Sequence, residues 1–505
     1  MKGKLGWLGE KLCLGFGLLF SGAVLVQTFL TACRGEGFFL FFAAGVLGMG
    51  ALVFLGLRFL KPAKAYPLAL CSLRFLIALG VILVFGAQPV QDFKTMYDAA
   101  CQMARGSGDY LQNEYFYNWA YQTGFTAYEA LVIRLFGEGL LPLQLLNALW
   151  MAGTGCLVYG IARRFLPETG AMTASLLYAL YPAPYFLAAV LTNQHIAVFF
   201  YYLGFWLLVR RERLSPLRGV LAGVCLSLGN VMRPLGAVIV LALLCWVAVR
   251  MLRWKGPGVL REGGLLLAAA VAYYASGELF NWLVRATGLN PEGLANHLPL
   301  WKFVLGFNLE SGGAWNQADY DAYYLLPREE APAAMRAAVG ERLSSLGVSG
   351  FLELFWKKSQ TMWGSLEYLY WGFGHLDGSV QVLGGLTLSQ CLNALNYFDR
   401  GVFFLAFFLA AAALLLWLRR GAGEGLRLPV MLSFLLCGYY AVHLLIEVQS
   451  RCRYFLMPVV FLLAGAGAQQ LLRCWQGRSS RGAGQKNTAP GREGRHFLEK
   501  TGKGP

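Results

Sequence analysis

Charge is what this chain has least of. Of its 505 residues only 14% are charged, against 57% hydrophobic, and that balance excludes an ordinary soluble domain. Cysteine is present but unpatterned: none of the eleven forms a CxxC pair or a metal-ligand spacing, which argues against a disulfide framework and a zinc site. No solenoid or propeller period recurs along the chain. No small-residue cleavage site follows the first apolar run, and that run is long enough to span a bilayer, so it reads as a retained helix rather than a removed signal peptide.

What is abundant is apolar sequence in runs of bilayer-spanning length. About twelve candidate helices follow, at 11–32, 37–59, 67–88, 140–162, 169–190, 194–210, 217–232, 235–252, 263–284, 399–419, 428–446 and 455–473. The run 217–252 is too long for one helix, and Met232-Arg233-Pro234 puts a charge and a helix breaker where a hairpin turns. The expected fold is an all-α polytopic membrane protein in six parts. Three helices fill 1–88, a first external loop with two surface helices fills 89–139, and 140–284 holds the central helices. A larger external loop at 285–398 precedes three last helices in 399–475, and a basic disordered tail covers 476–505.

The net charge of +16 raises the question of nucleic acid, but its distribution encodes orientation instead. With the amino terminus in the cytoplasm, inner loops and tails carry roughly +21 and outer segments roughly −5. Arg163 and Arg164, Arg210, Arg211 and Arg213, Arg250, Arg253 and Lys255, and Arg419 and Arg420 then fall on one side. The reading is a multi-pass plasma-membrane protein with both termini cytoplasmic, and it calls for no nucleic-acid partner.

The first external loop is unusually organised. In 92–105, Phe93, Met96, Tyr97, Ala100, Met103 and Ala104 recur at helical spacing, as do Phe125, Tyr128, Val132, Leu135 and Phe136 in 124–136. Each helix is expected to lie on the membrane surface with its apolar stripe down. Asp92 opens the first of them at headgroup level, where a carboxylate can take a proton from an incoming hydroxyl or amide. It is equally a preferred helix cap, with Pro89 already marking the start.

Asp92 followed by Tyr97, Ala100, Met103, Gly108-Asp109-Tyr110, Tyr115-Phe116 and Leu135-Phe136-Gly137 resembles the first external loop of the C-type glycosyltransferases, in particular the lipid-A aminoarabinose transferase and protein O-mannosyltransferase group, in a Gram-positive form. The resemblance implies that Asp92 is the catalytic base or its partner, and that the donor is a polyprenyl-phosphate sugar used on the outer face for an extracytoplasmic acceptor. It also places Tyr97 and Glu114 among the substrate-facing residues. The chain departs from the family at three points: Tyr117-Asn118-Trp119-Ala120 stands where the aminoarabinose group has Glu-Lys-Pro-Pro, Asp92-Phe93 stands where the mannosyltransferases have Asp-Glu, and two further helices precede the usual first one.

A polyprenyl-phosphate donor needs positive charge at the outer headgroup level to hold the leaving phosphate. Arg233 at the turn between two spans, and Arg451 and Arg453 at the outer end of the last hairpin, are the candidates, with interfacial snorkelling the alternative reading. In the large loop, Asn308, Glu310, Trp315, Asn316 and Asp319 offer amide, carboxylate and indole groups suited to a sugar, or simply a turn cluster. Trp315, Asn316 and Asp319 are the acceptor candidates. For a divalent metal no firm ligand set exists; His375 and Asp377 share a Gly-rich turn but supply only two ligands. His195 and His443 read as satisfied inside the bundle. Two rival functions remain, a transporter or lipid flippase and a surface-polysaccharide polymerase or ligase.

Overall fold

The computed structural model describes residues 2–35, 37–209, 215–253, 257–365, 370–420 and 427–486. Apolar composition and proline punctuation set its elements. Helices α1 (Lys2–Cys33), α2 (Phe39–Phe59) and α3 (Tyr66–Phe85) come first. Pro67 opens α3, and Gly86 closes it in the left-handed region (φ 54°) with its N–H on the Ile82 carbonyl. The first loop then carries α4 (Asp92–Ala104), the single turn α5 (Tyr115–Asn118) and α6 (Thr123–Phe136).

The central helices are α7 (Leu140–Ala162), α8 (Glu168–Ala179), α9 (Ala183–Ala189), α10 (Gln194–Val209), α11 (Pro216–Met232), α12 (Gly236–Arg253) and α13 (Pro257–Ala286). The expected hairpin at Arg233-Pro234 is present: Arg233 is extended (φ −151°) and α11 stops before it. The expected single span 169–190 is not one helix. Pro182 and Pro184 part it into α8 and α9, because proline neither donates an amide nor tolerates the preceding helical turn. Arg210, Arg211, Arg213 and Lys255 lie outside the described residues.

The second loop holds α14 (Trp301–Gly306), α15 (Gln317–Asp319), α16 (Ala331–Ser359) and α17 (Tyr370–Phe373), then a hairpin of β1 (Gln381–Leu383) and β2 (Leu386–Thr387). Gly347, at φ 55° and ψ −177°, breaks α16 into two segments. The last helices are α18 (Leu388–Arg420), which starts ahead of the expected 399, α19 (Arg427–Leu445) and α20 (Met457–Lys486). Helix α20 runs into the segment expected to be a disordered tail; 487–505 lie outside the described residues.

Among the described residues eight helices are long and apolar enough to cross a membrane, and three shorter apolar ones cover Gln194–Val209, Pro216–Met232 and Val238–Val249. The chain is a multi-pass membrane protein. Its core is organised round α20, whose residues from Val459 to Ala464 are fully buried among α8, α18 and α19. Close helix contact depends on small residues: a Cβ on Gly45 or Gly401 would overlap backbone of the facing helix, α18 or α2. Helix α3 instead exposes Leu68, Leu76, Leu83 and Val84, a lipid-facing surface.

The two first-loop helices correct one expectation. The apolar stripe of α4 faces protein, not lipid: Phe93 and Met96 pack with Ala78 and Ile82 of α3 and Met151 of α7, and Ala100 and Met103 pack with Ala130 and Ile133 of α6. Only α6 keeps an exposed apolar edge, at Leu131, Leu135 and Phe136. The first loop is joined to the second by backbone bonds from Tyr121 N to the Ala295 oxygen (3.0 Å) and from His297 N to the Asn118 oxygen (3.1 Å).

Candidate functional site

Stretches far apart in the sequence bring polar groups together at the loop-bearing end. Asp92 is the first residue of α4, and the residue before it, Gln91, is the one described non-glycine residue with positive φ, at 49°. Strain of this kind persists where surrounding contacts hold it, and active sites are a common location. The Asp92 side chain is exposed and makes no hydrogen bond among the described residues, and the cap position before it, Gln91, has no side-chain cap bond either. Its charge acts instead on Tyr115, Tyr121, Tyr324 and Arg451. Burial first, then the Asp92 charge, raises the Tyr115 phenol well above its usual range, and the Tyr115 hydroxyl is buried without a hydrogen-bond partner among the described residues. Burial likewise raises Tyr121.

Across from Asp92 stands Arg451, in a tight turn at Ser450–Leu456 that leads into α20. Its guanidinium lies 5.0 Å from the ring centre of Phe93, the residue next to Asp92, and 4.7 Å from that of Trp371. Its Nε donates to Gln449 Oε1 at 2.7 Å, Gln449 Nε2 donates to Glu447 Oε1 at 2.8 Å, and Glu447 pairs with Lys302 of α14. The Lys302 ammonium in turn lies 5.5 Å from the Trp119 ring centre. Arg233 completes the group; its Nη1 donates to Asn193 Oδ1 at 3.1 Å, and its charge, with those of Asp92 and Glu447, acts on Arg451.

Two features of this chain of contacts matter chemically. Burial works against the Glu447 carboxylate, yet Lys302 holds its pKa below the usual range, so this pair neutralises itself. Arg451 and Arg233 differ: among the described residues each is held by an amide oxygen and neither has a carboxylate partner. Two guanidiniums oriented but not neutralised have the chemistry to hold an anion. Below it, buried Lys358 of α16 donates to the Gly306 and Leu444 oxygens (2.9 and 2.8 Å), tying α14 to the end of α19. Burial drives its pKa down to about 7.

The other expected residues are placed differently. Arg453 is fully buried, donates to the Met362 carbonyl oxygen and lies 5.1 Å from the Phe403 ring centre. In a turn of three residues, positions i and i+2 point about 120° apart, so Arg451 and Arg453 leave on different faces and only Arg451 turns toward Phe93 and Trp371. Tyr97 sits about 140° round α4 from Asp92 and donates to the Glu138 carbonyl oxygen. Glu114 lies on the rim, 3.6 Å from Arg328.

Asp319 is spent on architecture: it accepts from both terminal nitrogens of Arg342 and from Asn308 Nδ2 at 2.8 Å, while Asn316 Oδ1 caps the Asp319 amide at 2.9 Å. The Asp319 carboxylate has no oxygen left for an acceptor, whereas Asn316 uses its Oδ1 on the cap and keeps its Nδ2 donors. Trp315 remains open, about half exposed. Its ring begins a run of aromatic contacts through Tyr320 (5.2 Å) and Tyr324 (4.7 Å) to Trp119 (6.3 Å). His375 bonds the Phe85 oxygen and Asp377 accepts from the Ser379 amide and hydroxyl. Among the described residues no three His, Cys, Asp or Glu side chains converge as metal ligands.

Lys302, Tyr115, Tyr121 and Trp371 were not expected in the site. Lys302 did carry a signal: it is the only basic side chain other than His297 between Arg285 and Arg328.

Among solved structures, the apo oligosaccharyltransferase of Archaeoglobus fulgidus aligns at 14% identity and a TM-score of 0.43 over 83% of this chain and 52% of its own, so the chain spans about half its length. ArnT from Cupriavidus metallidurans bound to undecaprenyl phosphate aligns at 16% identity and a TM-score of 0.37, covering 80% of this chain and 78% of that one. No curated protein matches significantly. Residues 125–274 match the model of the dolichyl-phosphate-mannose-protein mannosyltransferase family, and that match, lying almost wholly outside the loop that suggested it, bears out the resemblance to the C-type membrane glycosyltransferases.

Proposed function

We propose that this protein transfers a sugar from a polyprenyl-phosphate carrier to a hydroxyl-bearing or amide-bearing acceptor on the extracytoplasmic side of the plasma membrane. The observation that carries the reading is the pairing of an uncapped Asp92 carboxylate with an Arg451 guanidinium set over the adjoining Phe93 ring, with Arg233 in electrostatic range. The family matched over 125–274 bears a lipid-phosphate sugar in its name, and the charge distribution favours this end of the bundle as the outer one.

The chemistry follows from the placement. Asp92 takes the proton from the acceptor group as the freed lone pair attacks the anomeric carbon. The bond from that carbon to the phosphate oxygen breaks with its electron pair moving to the phosphate, and Arg451 and Arg233 hold the charge that appears there. Tyr115 and Tyr121 line the gap with phenols that burial keeps protonated. The Trp315–Tyr320–Tyr324 rings offer flat apolar faces for an acceptor glycan or peptide on its way to Asp92.

The test uses the full-length protein in lipid nanodiscs with a polyprenyl-phosphate sugar and candidate acceptors. Asp92→Asn is expected to lower transfer by about 10²–10⁴-fold with an unchanged melting temperature. Full activity in that variant would remove Asp92 from the mechanism.

A further inference from the structure

A polar cavity opens beside the Ser450–Leu456 turn, lined by Ser450 but not by Asp92, Arg451 or Arg233. Its volume is about 570 Å³, within the roughly 300–1,000 Å³ typical of small-ligand sites. Its walls come from five distant parts of the chain: the carboxyl end of α1 (Thr31, Arg34), the second-loop turn at Glu310–Gly312, the α16 end with the turn that follows it (Lys357, Thr361), Tyr397 of α18, and Ser450. Helix α1 lies before both the first-loop landmarks and the matched stretch 125–274, so Thr31 and Arg34 are what the amino-terminal part adds to this cavity.

The walls are fitted rather than loosely apposed. A Cβ on Gly35 would overlap the Tyr397 hydroxyl, and Tyr397 lines the cavity. Gly312, at φ +61°, lets its turn lie against Lys357, where a Cβ would meet the lysine side chain at 3.1 Å. The lining is mostly hydroxyl, amide and charge. Lys357 is 2.8 Å from Glu353 and donates to the Leu309 oxygen at 3.4 Å, whereas the Arg34 guanidinium makes no hydrogen bond or ion pair among the described residues. Arg34 stands one residue beyond the end of α1, at the level where a span meets lipid headgroups.

We propose that this cavity binds an anionic, polyhydroxylated group, a phosphate- or carboxylate-bearing polyol, as part of the acceptor. Arg34 and Lys357 bind the anion, and Thr31, Thr361 and Ser450 bind the hydroxyls. The assignment to the acceptor rests on the transferase reading, in which Arg451 and Arg233 already serve the donor. Ser450 directly precedes Arg451, so the two sites share one turn of backbone.

Binding is measured on the full-length protein in phosphatidylcholine nanodiscs by titration with sn-glycerol 1-phosphate, and separately in nanodiscs doped with phosphatidylglycerol, by native mass spectrometry. Saturable binding of either probe supports the site; the soluble probe alone marks a glycan source and the lipid alone a membrane source. Arg34→Ala is expected to weaken binding at least about tenfold, with Arg34→Lys recovering part of it and both variants melting like the wild type. Absence of saturable binding by both probes, or binding indifferent to Arg34→Ala, overturns the proposal. Asp92→Asn is expected to bind the probe as the wild type does, so a failure of the transferase reading leaves its mark on transfer and not on this titration.

Discussion

Asp92 and Asp319 are both aspartates in short helical starts at the same end of the molecule, and both have an arginine in range. Asp319 is closed: Arg342 and Asn308 use its carboxylate, and it is buried. Asp92 is open, with no cap bond and an exposed side chain, and the arginine that feels it, Arg451, is held by a glutamine and two rings instead of a carboxylate. The same pair of residue types therefore serves two purposes. A saturated pair fixes a loop; an unsaturated pair kept apart by aromatic packing retains its charge for something else.

The contrast is broken most directly by removing both carboxylates. Asp92→Asn is expected to leave melting unchanged while transfer falls by about 10²–10⁴-fold. Asp319→Ala strands the mostly buried Arg342 and is expected to lose about 3 kcal/mol of stability, with turnover per folded molecule kept. Reversal of the two outcomes would put the chemistry in the second loop. A smaller effect is expected at Arg451→Gln: a charge-assisted bond of about 1.5–3 kcal/mol corresponds to roughly a 10–150-fold loss in kcat/KM for the donor. Arg451→Lys should restore part of it, since a point charge replaces a planar one, whereas Arg453→Lys should disturb folding and leave the donor term alone.

How much of this was legible in the sequence depends on whether the partner was local. The α4 and α6 stripes were readable because periodicity is a property of one helix; that the α4 stripe meets α3, α6 and α7 instead of lipid was not, because a stripe names a face and not what covers it. Pro182 and Pro184 announced the break between α8 and α9, but the surrounding apolar run outweighed them. Arg451 and Arg453 looked equivalent because spacing does not reveal that the turn has three residues per revolution. Asp319 looked available because Arg342 lies 23 residues on, and Lys302 was passed over because Glu447 lies 145 residues away. The long-range ion pairs, which decide which charges remain free, are what a single sequence conceals.

The last and smallest test sharpens the contrast through pH. Glu447 sits between the two cases: it is neutralised by Lys302, as Asp319 is by Arg342, yet through Gln449 it also orients Arg451. Despite its burial its carboxyl is held below the usual range in the folded protein by Lys302. In the acid window below the ordinary carboxylate range the unfolded chain binds the proton more readily than the folded one, so stability is fully present above that window and is lost as pH falls through the folded value. The melting temperature of the wild type is therefore expected to drop on acidification through that window, and Glu447→Gln is expected to flatten the drop while costing some stability at neutral pH through the unpaired Lys302. If the ion pair also positions Arg451, the same variant raises the KM for the donor at pH 7 and leaves the pH dependence set by Asp92 in place. A flattened melting profile with an unchanged donor KM would make Lys302–Glu447 a closed pair of the Asp319 kind, with no part in holding the phosphate site.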